Sequence, residues 1–590
     1  MSYKGNKIWA IIPARGGSKE IPRKNIVKIA GKPLIAYSIE QALASKYLDG
    51  VFVSTEDDEI SGISSHYGAS IIQRPVKLSR DDSSTIDVLK HAVDQMGKAL
   101  QMNVDQIVCL QPTTPTRKTE DIDKAIELFF DEKADSVVSV IKSPHSFNPF
   151  WAKKIINGEL KLLFEGQFQI TRRQELPETF WHNGQIYITS RDNMKQYGDW
   201  YPGKCLPYVC EGDTILNIDS LHELELAEEK IYSERTREAD RITLSFSGRP
   251  VGHQHPCFVI AEAGVNHNGD MDLARKLVDV AVDGSADAVK FQFFDPKNVV
   301  TSSVPMAEYQ KDNLGTNVNQ QEMLSHYVLS EEQLISLKNY AEKKGIIFLC
   351  TSHSGIEEYA KLDKMGVIAH KVGSGDLMNL PTLRYLANTG KPIIFGTGMS
   401  TLKEVSNVHQ FMLKNDNDKI IFLHCTTDYP CPFSDVNLNS MQAMKKKLGC
   451  LTGYSDHTLG MEVPIMAVTL GACVIEKHIT LDRSLPGPDH KASMEPAELK
   501  SMVDKIRNIE SAKGSALKKP TSQEIKTSKV ARKSLAYDNN LIIGSIIKEG
   551  DLHVKRPGTG INPFLYDEMI GRCLTKNVSK DQLVTMDDFE

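Results

Sequence analysis

Between residues 258 and 476 the sequence repeats one pattern: a strand-length apolar run, a polar residue at or just past its end, then a helix-like segment. The runs fall at 258–263, 288–292, 346–351, 370–372, 393–397, 420–424, 449–453 and 472–476. The polar residues are Glu262, Lys290, Lys371, Thr397, His457 and His478. Parallel strands need a crossover, usually a helix. Eight such units close as a (β/α)8 barrel whose active site forms at the carboxyl rim of the strands.

His457 closes a Gly/Ser/Asp turn, 461–470 reads as a buried helix, and His478 follows the last strand-like run. Two neutral imidazoles at successive strand ends can hold a divalent cation and leave positions open for substrate. They are equally readable as polar rim residues without a metal. One inward lysine suits a Schiff-base aldolase. The pair Lys290 and Lys371, with Ser374 in Gly373-Ser374-Gly375, better suits an anionic phosphate and carboxylate, with Glu262 as acid/base or water-orienting group. Lysines reaching past the strand ends to solvent are the alternative. The insert 296–330 has few aliphatic repeats and is expected to fold over the barrel mouth as a lid.

The chain has 590 residues, too many for one core. Its net charge of −6, with both signs interspersed, argues against a nucleic-acid or anionic-membrane surface. Ten scattered cysteines without a CxxC pair are expected to be free thiols of a reducing cytoplasm. No signal-peptide core precedes the first strand, and no apolar run is long enough to span a bilayer.

Upstream of the barrel, apolar runs at 8–13, 51–55, 107–110 and 136–140 alternate with helix-like segments. This predicts a doubly wound α/β domain that binds ligands at its strand ends. The loop after the first run, Ala14-Arg15-Gly16-Gly17-Ser18-Lys19, can bring backbone amides and positive charge, with Lys24 beyond it, to a triphosphate.

The string from Ile12 to Asn25 (IPARGGSKEIPRKN) resembles the nucleotide loop of CMP-sialic acid synthetases. So do Gln73-Arg74-Pro75, the stretch LQPTTPTR from Leu110, TRRQ from Thr171 and NGQIYI from Asn183. The resemblance implies Arg15, Lys24, Asn25 and Arg74 at CTP, and Gln111, Arg173 and Tyr187 near a sugar acid. Core polar packing is the alternative for Gln111 and Tyr187. Where the family usually has Asp-Ile-Asp for Mg2+, this chain has Asn217-Ile218-Asp219, leaving Asp219 to carry the metal. The implied reaction is attack of the anomeric hydroxyl of a 2-keto sugar acid on the α-phosphorus of CTP. Arg15 and Lys24 offset charge and pyrophosphate leaves.

A second set of strings is similar to the sialic acid synthase family: IAEAGVNHNGD from Ile260, KVGSGD from Lys371, GTGMS from Gly396, LHCTTDYP from Leu423, YSDHTLG from Tyr454 and IEKH from Ile475. That family condenses phosphoenolpyruvate (PEP) with an N-acylmannosamine-type aldose. The resemblance implies His457 and His478 at Mn2+ or a similar ion, and Lys290, Thr351, Lys371, Ser374 and Ser455 around PEP. It implies Glu262 and Asp489 as catalytic groups, and Gln292 and Tyr429 at the sugar. PEP C3 would attack the aldehyde carbon, water would add at C2, and phosphate would leave. Gly396 and Thr427 depart from the N-acetylneuraminate pattern and favour legionaminate slightly as product. The tail resembles the antifreeze-like (SAF) domain of these synthases. There Arg556, in Arg-Pro-Gly, would reach a neighbouring subunit's sugar site and make the protein an obligate dimer, with further association left open.

The expected organisation is a cytidylyltransferase at 1–240, a TIM-barrel nonulosonic acid synthase at 241–512, a linker at 513–526 and an SAF domain at 527–590. The reading is a bifunctional enzyme whose second half makes the acid that its first half couples to CMP. The alternative is an active synthase whose N-terminal domain only binds nucleotide or sugar acid.

Overall fold

A computed structural model describes residues 3–18, 20–80, 82–101, 103–163, 172, 174, 176–211, 216–301, 304–306, 310–311 and 318–590. The chain divides into two compact units, Met1–Ile509 and Glu510–Glu590.

The first unit opens with a seven-stranded sheet: β1 (Ile8–Pro13), β2 (Gly50–Thr55), β3 (Ser70–Gln73), β4 (Gln106–Cys109), β5 (Ser136–Lys142), β6 (Phe180–Ser190) and β7 (Cys205–Val209). Their order is β7-β5-β6-β4-β1-β2-β3. β1 pairs parallel with β2 and β4, while the long β6 runs antiparallel between β4 and β5. One apolar cluster packs each side of the sheet, around Ile12 and Ile126 on one face and Trp9 and Leu89 on the other. This is the doubly wound α/β arrangement expected.

Eight further strands form a closed barrel: β8 (Phe258–Gly264), β9 (Ala288–Phe293), β10 (Ile347–Ser352), β11 (His370–Val372), β12 (Ile393–Gly396), β13 (Ile420–His424), β14 (Leu451–Asp456) and β15 (Val474–His478). Strand side chains alternate between faces. The outward set (Val259, Val289, Phe348, Phe395, Phe422, Ile475) packs on the helices. The inward set (Phe258, Ile260, Leu349, Ile394, Ile421, Val474) fills the barrel's lower interior. Just before the barrel, Leu244–Phe246 pairs with Arg249–Val251 as a hairpin, and its Leu244, Phe246 and Val251 join that interior cluster.

Three expectations change. β14 and β15 lie about two residues further along than 449–453 and 472–476, so His478 is the last residue of its strand. Glu262, Lys290 and Lys371 sit within strands, as their runs placed them. The helix expected as buried over 461–470 is Glu462–Thr469, and it leaves Met466 on the surface. The linker region enters a helix at Ser522–Ala531, opened by a Thr521/Glu524 capping box, a reciprocal backbone–side-chain pairing that starts helices without any buried face.

The charged segment before the barrel forms the helix Leu221–Arg241. It docks on the barrel helix Asn439–Leu448, where Arg235 donates to Lys447 O at 2.8 Å and Lys445 pairs with Asp240 at 2.6 Å. Two histidines near this seam are held neutral. Burial and the Lys445 charge push His253 down to about 4; burial and Arg235 do the same to His409. On acidification the unfolded chain takes up these protons first. Stability is therefore whole above about pH 6.5 and falls toward pH 4, by up to roughly 2–3 kcal/mol per histidine. The urea midpoint is expected to drop between pH 7 and pH 5, and to drop less in His409→Gln. An equal drop in both proteins removes His409 as a source.

The second unit is organised by the antiparallel pair β16 (Ser534–Tyr537) and β17 (Leu552–Lys555), over a core including Leu535, Tyr537, Ile547, Leu574 and Val584. No described helix in either unit is long and apolar enough to cross a membrane.

Candidate functional sites

The carboxyl ends of β1 and β4 open on a cavity of about 250 Å3 lined by Arg15, Lys24, Asn25, Arg74, Arg80 and Gln111. Asn25 donates to Arg15 O at 2.9 Å and so fastens the start of the loop. Glu56, which the motifs did not single out, accepts from Gly16 N (2.8 Å), Arg74 (2.9 Å) and Ser79 (2.7 Å). Burial raises its carboxyl pKa, but those donors outweigh burial and hold it low. A Cβ at Gly16 would come within 2.5 Å of Asp57 Oδ2, so a larger residue there would displace the carboxylate that pairs with Arg23. Arg80 was also missed; it carries no motif, and only the fold brings it to the pocket.

Lys24 Nζ pairs with Asp219 at 2.9 Å and donates to Ile218 O at 3.0 Å. Asn217 donates to the other Asp219 oxygen at 2.7 Å, leaving its own Oδ1 buried without a hydrogen-bond partner. Asp219 is 61% exposed and can offer a carboxylate to a hard cation held mainly by phosphate oxygens. Tyr187 does not line this cavity: it is buried against Trp200, ring centroids 4.7 Å apart, with its hydroxyl pKa pushed up to about 12 by burial. Lys19 and Arg173 lie outside the described residues.

The barrel mouth holds a second cavity, about 270 Å3, and strand register explains its contents. Continuing the inward alternation from Ile260, Ala288, Leu349, Ala369 and Val474 brings Glu262, Lys290, Thr351, Lys371 and Glu476 inside. Glu262 pairs in register with Lys290 on one side and His478 on the other, Thr351 with Lys371, and Ser455 with Glu476. Lys290 and Lys371 are only 3% and 4% exposed, so they do not reach for solvent. Two strands apart, they are joined by a residue sequence reasoning left out of the site. Glu476 lies 3.6 Å from each ammonium and accepts from Ser455 at 2.9 Å. Burial raises its pKa, but the two lysines and Ser455 outweigh it and hold the carboxyl down at about 2. Period-two counting back from His478 would have found it.

Glu262 lies 2.7 Å from Lys290 and 3.3 Å from Gln292, and Lys290 donates to Thr351 at 2.9 Å. Burial nevertheless raises the Glu262 pKa, and it lifts Asp489 to about 7 with help from Glu262's charge. Asp489, able to carry a proton near neutrality, beside a second carboxyl raised above its usual range suits acid/base work. Ser374 Oγ accepts from Gly398 N at 3.0 Å beside Cys425 Sγ, in the wall that includes Lys371.

At the rim the rings of His457 and His478 are 5.5 Å apart, and the Tyr429 ring lies tilted against His457, centroids 4.1 Å apart. His457 Nδ1 bonds Thr426 O at 2.6 Å, which directs its lone pair to Nε2. His478 Nδ1 is buried without a hydrogen-bond partner, with Asp489 Oδ2 3.9 Å away. Burial lowers both imidazole pKa values, so both are neutral donors. This donor pair fits a divalent cation completed by substrate, although no cluster of three or more His, Cys, Asp or Glu is placed for a metal among the described residues. The described part of the insert lines the same cavity through Val299, Gln310, Gln320, Met323 and Tyr327. Arg556 lies in the second unit, exposed just after β17.

A NeuB family model matches residues 277–518, and a cytidylyltransferase model matches residues 9–238. The chain is 43% identical, over 55% of its length and 98% of the relative's, to an N,N'-diacetyllegionaminic acid synthase of Campylobacter jejuni. The chain belongs to the NeuB family. The Legionella pneumophila protein of the same name is 42% identical over 58% of this chain and 97% of its own. Human N-acetylneuraminate-9-phosphate synthase is 35% identical over 57% and 94%. This NeuB chain carries a cytidylyltransferase in front of its synthase and is a bifunctional enzyme of nonulosonic acid biosynthesis. Both families generally depend on divalent metals.

Proposed function

We propose that the barrel condenses PEP with a 2,4-diacetamido-2,4,6-trideoxymannose-type aldose to give a legionaminic-type acid, which the N-terminal half couples to CMP. The observation that carries the first step is the Lys290–Glu476–Lys371 bridge facing the histidine pair in one cavity. Two buried ammonium groups suit the phosphate and carboxylate of PEP. The higher identity to the legionaminic acid synthases than to the human neuraminate-type enzyme supports the choice of sugar.

In this reading Lys290, Thr351, Lys371, Ser374 and Ser455 hold PEP, while Gln292 and Tyr429 contact the aldose. PEP C3 attacks the aldehyde carbon, Asp489 or Glu262 supplies the proton to the new hydroxyl, the other orients water to C2, and phosphate leaves. His457 and His478 would hold Mn2+ or a similar ion, which polarises the aldehyde when bound. In the N-terminal half Arg15, Lys24, Asn25 and Arg74 take CTP, Gln111 and Arg173 the sugar acid, and Asp219 a Mg2+ that offsets phosphate charge. The functional parts are taken as 1–240, 241–512 and an SAF-type tail at 527–590. The tail's Arg556 serves the sugar site of a second copy in a homodimer.

One incubation tests both steps: the protein with PEP, CTP, Mg2+, Mn2+ and equal N-acetylmannosamine and 2,4-diacetamido-2,4,6-trideoxymannose, read by mass spectrometry. The expected product is CMP-linked legionaminic-type acid. Free acid without a CMP adduct, restored by Asn217→Asp, favours the reading in which the N-terminal half only binds. No new acid of either mass overturns the condensation.

A further inference from the structure

We propose that His353, oriented by Asp376, is a specificity-determining contact for the aldose in the barrel cavity. The inference rests on the condensation proposed above but concerns a residue given no part in it.

The inward register of β10 runs Leu349, Thr351 and then His353, one step beyond the strand. Thr351 pairs with Lys371 on β11, so the inward position facing His353 is Gly373. That glycine makes room for the ring: a Cβ at 373 would come within 2.5 Å of His353 Cε1 and 3.1 Å of Nδ1. The glycine's φ is not in the left-handed region, so space for the imidazole, not backbone conformation, is what the position requires. His353 Nδ1 faces Asp376 Oδ2 at 3.5 Å, a carboxylate that favours the tautomer with its hydrogen on Nδ1. His353 lines the same cavity as Lys371 and Ser374.

Depth decides which substrate it meets. The lysines and Glu476 form a floor whose side chains are no more than 5% exposed, while His353 is 30% exposed and Asp376 18%. The floor carries the charge that an anion requires, so the phosphate and carboxylate of PEP settle there. The aldose must then lie nearer the mouth, at the level of His353. A polar side chain seated in a fitted recess beside a substrate hydroxyl or acyl group discriminates well, because an analogue lacking that group leaves it unpaired.

The test compares wild type with His353→Phe and His353→Asn by steady-state kinetics with both aldoses, and by saturation-transfer NMR of aldose binding with PEP present. The expected result for His353→Phe is a rise of about tenfold or more in aldose KM, with PEP KM within twofold of wild type. His353→Asn, which restores a polar group, recovers part of the loss. The preference between the two aldoses narrows in His353→Phe. Equal changes in both KM values, or none, overturn the proposal, as does a loss that His353→Asn reproduces in full. Wild type that binds both substrates without joining them removes the condensation, and the NMR comparison then decides His353 separately. Wild type that binds no aldose overturns both.

Discussion

Replacing His457 with alanine is expected to abolish condensation, by at least roughly a thousandfold, while leaving cytidylyl transfer from supplied sugar acid intact. The size is that of losing a preorganised stabiliser of developing charge. His457 offers its Nε2 because Thr426 O occupies Nδ1, and its ring stands 5.5 Å from that of His478. A single remaining imidazole makes a poor cation site. Phosphate release from PEP and pyrophosphate release from CTP report the two reactions separately. The nucleotide cavity is built on β1 and β4 of a different sheet and shares no lining residue with the barrel cavity. A folded variant that loses both activities therefore contradicts the two-site picture.

Glu476→Ala carries the second large effect. Both lysines keep their ammonium groups on side chains no more than 5% exposed, but the carboxylate between them is gone. Breaking a buried charge network by removing one partner costs roughly 3–5 kcal/mol. The apo protein should melt about 5–10 °C lower. PEP then brings the missing negative charge, so saturating PEP should raise the variant's Tm by more than it raises that of wild type. Differential scanning fluorimetry with and without PEP reads both numbers. An unchanged Tm and an unchanged PEP shift would show that the lysines do not depend on Glu476.

The legibility of these sites follows the kind of signal each residue carries. Lys371 and the histidine pair could be read because each belongs to a contiguous string near the end of an apolar run, and Lys290 because it interrupts one. Glu476 stood in one of those strings, yet its role depends on strands β9 and β11 bringing two lysines to it from about 190 and 100 residues away (a closure that only the barrel performs). Tyr187 shows the opposite failure. Its string was recognised, but the inserted antiparallel strand β6 turns it onto Trp200 in the core. Arg80 and Glu56 belong to no string; loop packing around Gly16 and Ser79 decides their place.

By itself the sequence determined that this protein has a doubly wound α/β segment followed by an eightfold strand–helix barrel. The period of apolar residues sets which elements form, and an element's period is local. It also determined which chemistry the strand ends could supply. Tertiary structure alone decided depth: which polar residues sit on the charged floor, which at the rim, and which are turned into the core. Depth depends on register between strands far apart in sequence, and a slip of one residue would send every inward side chain to the other face.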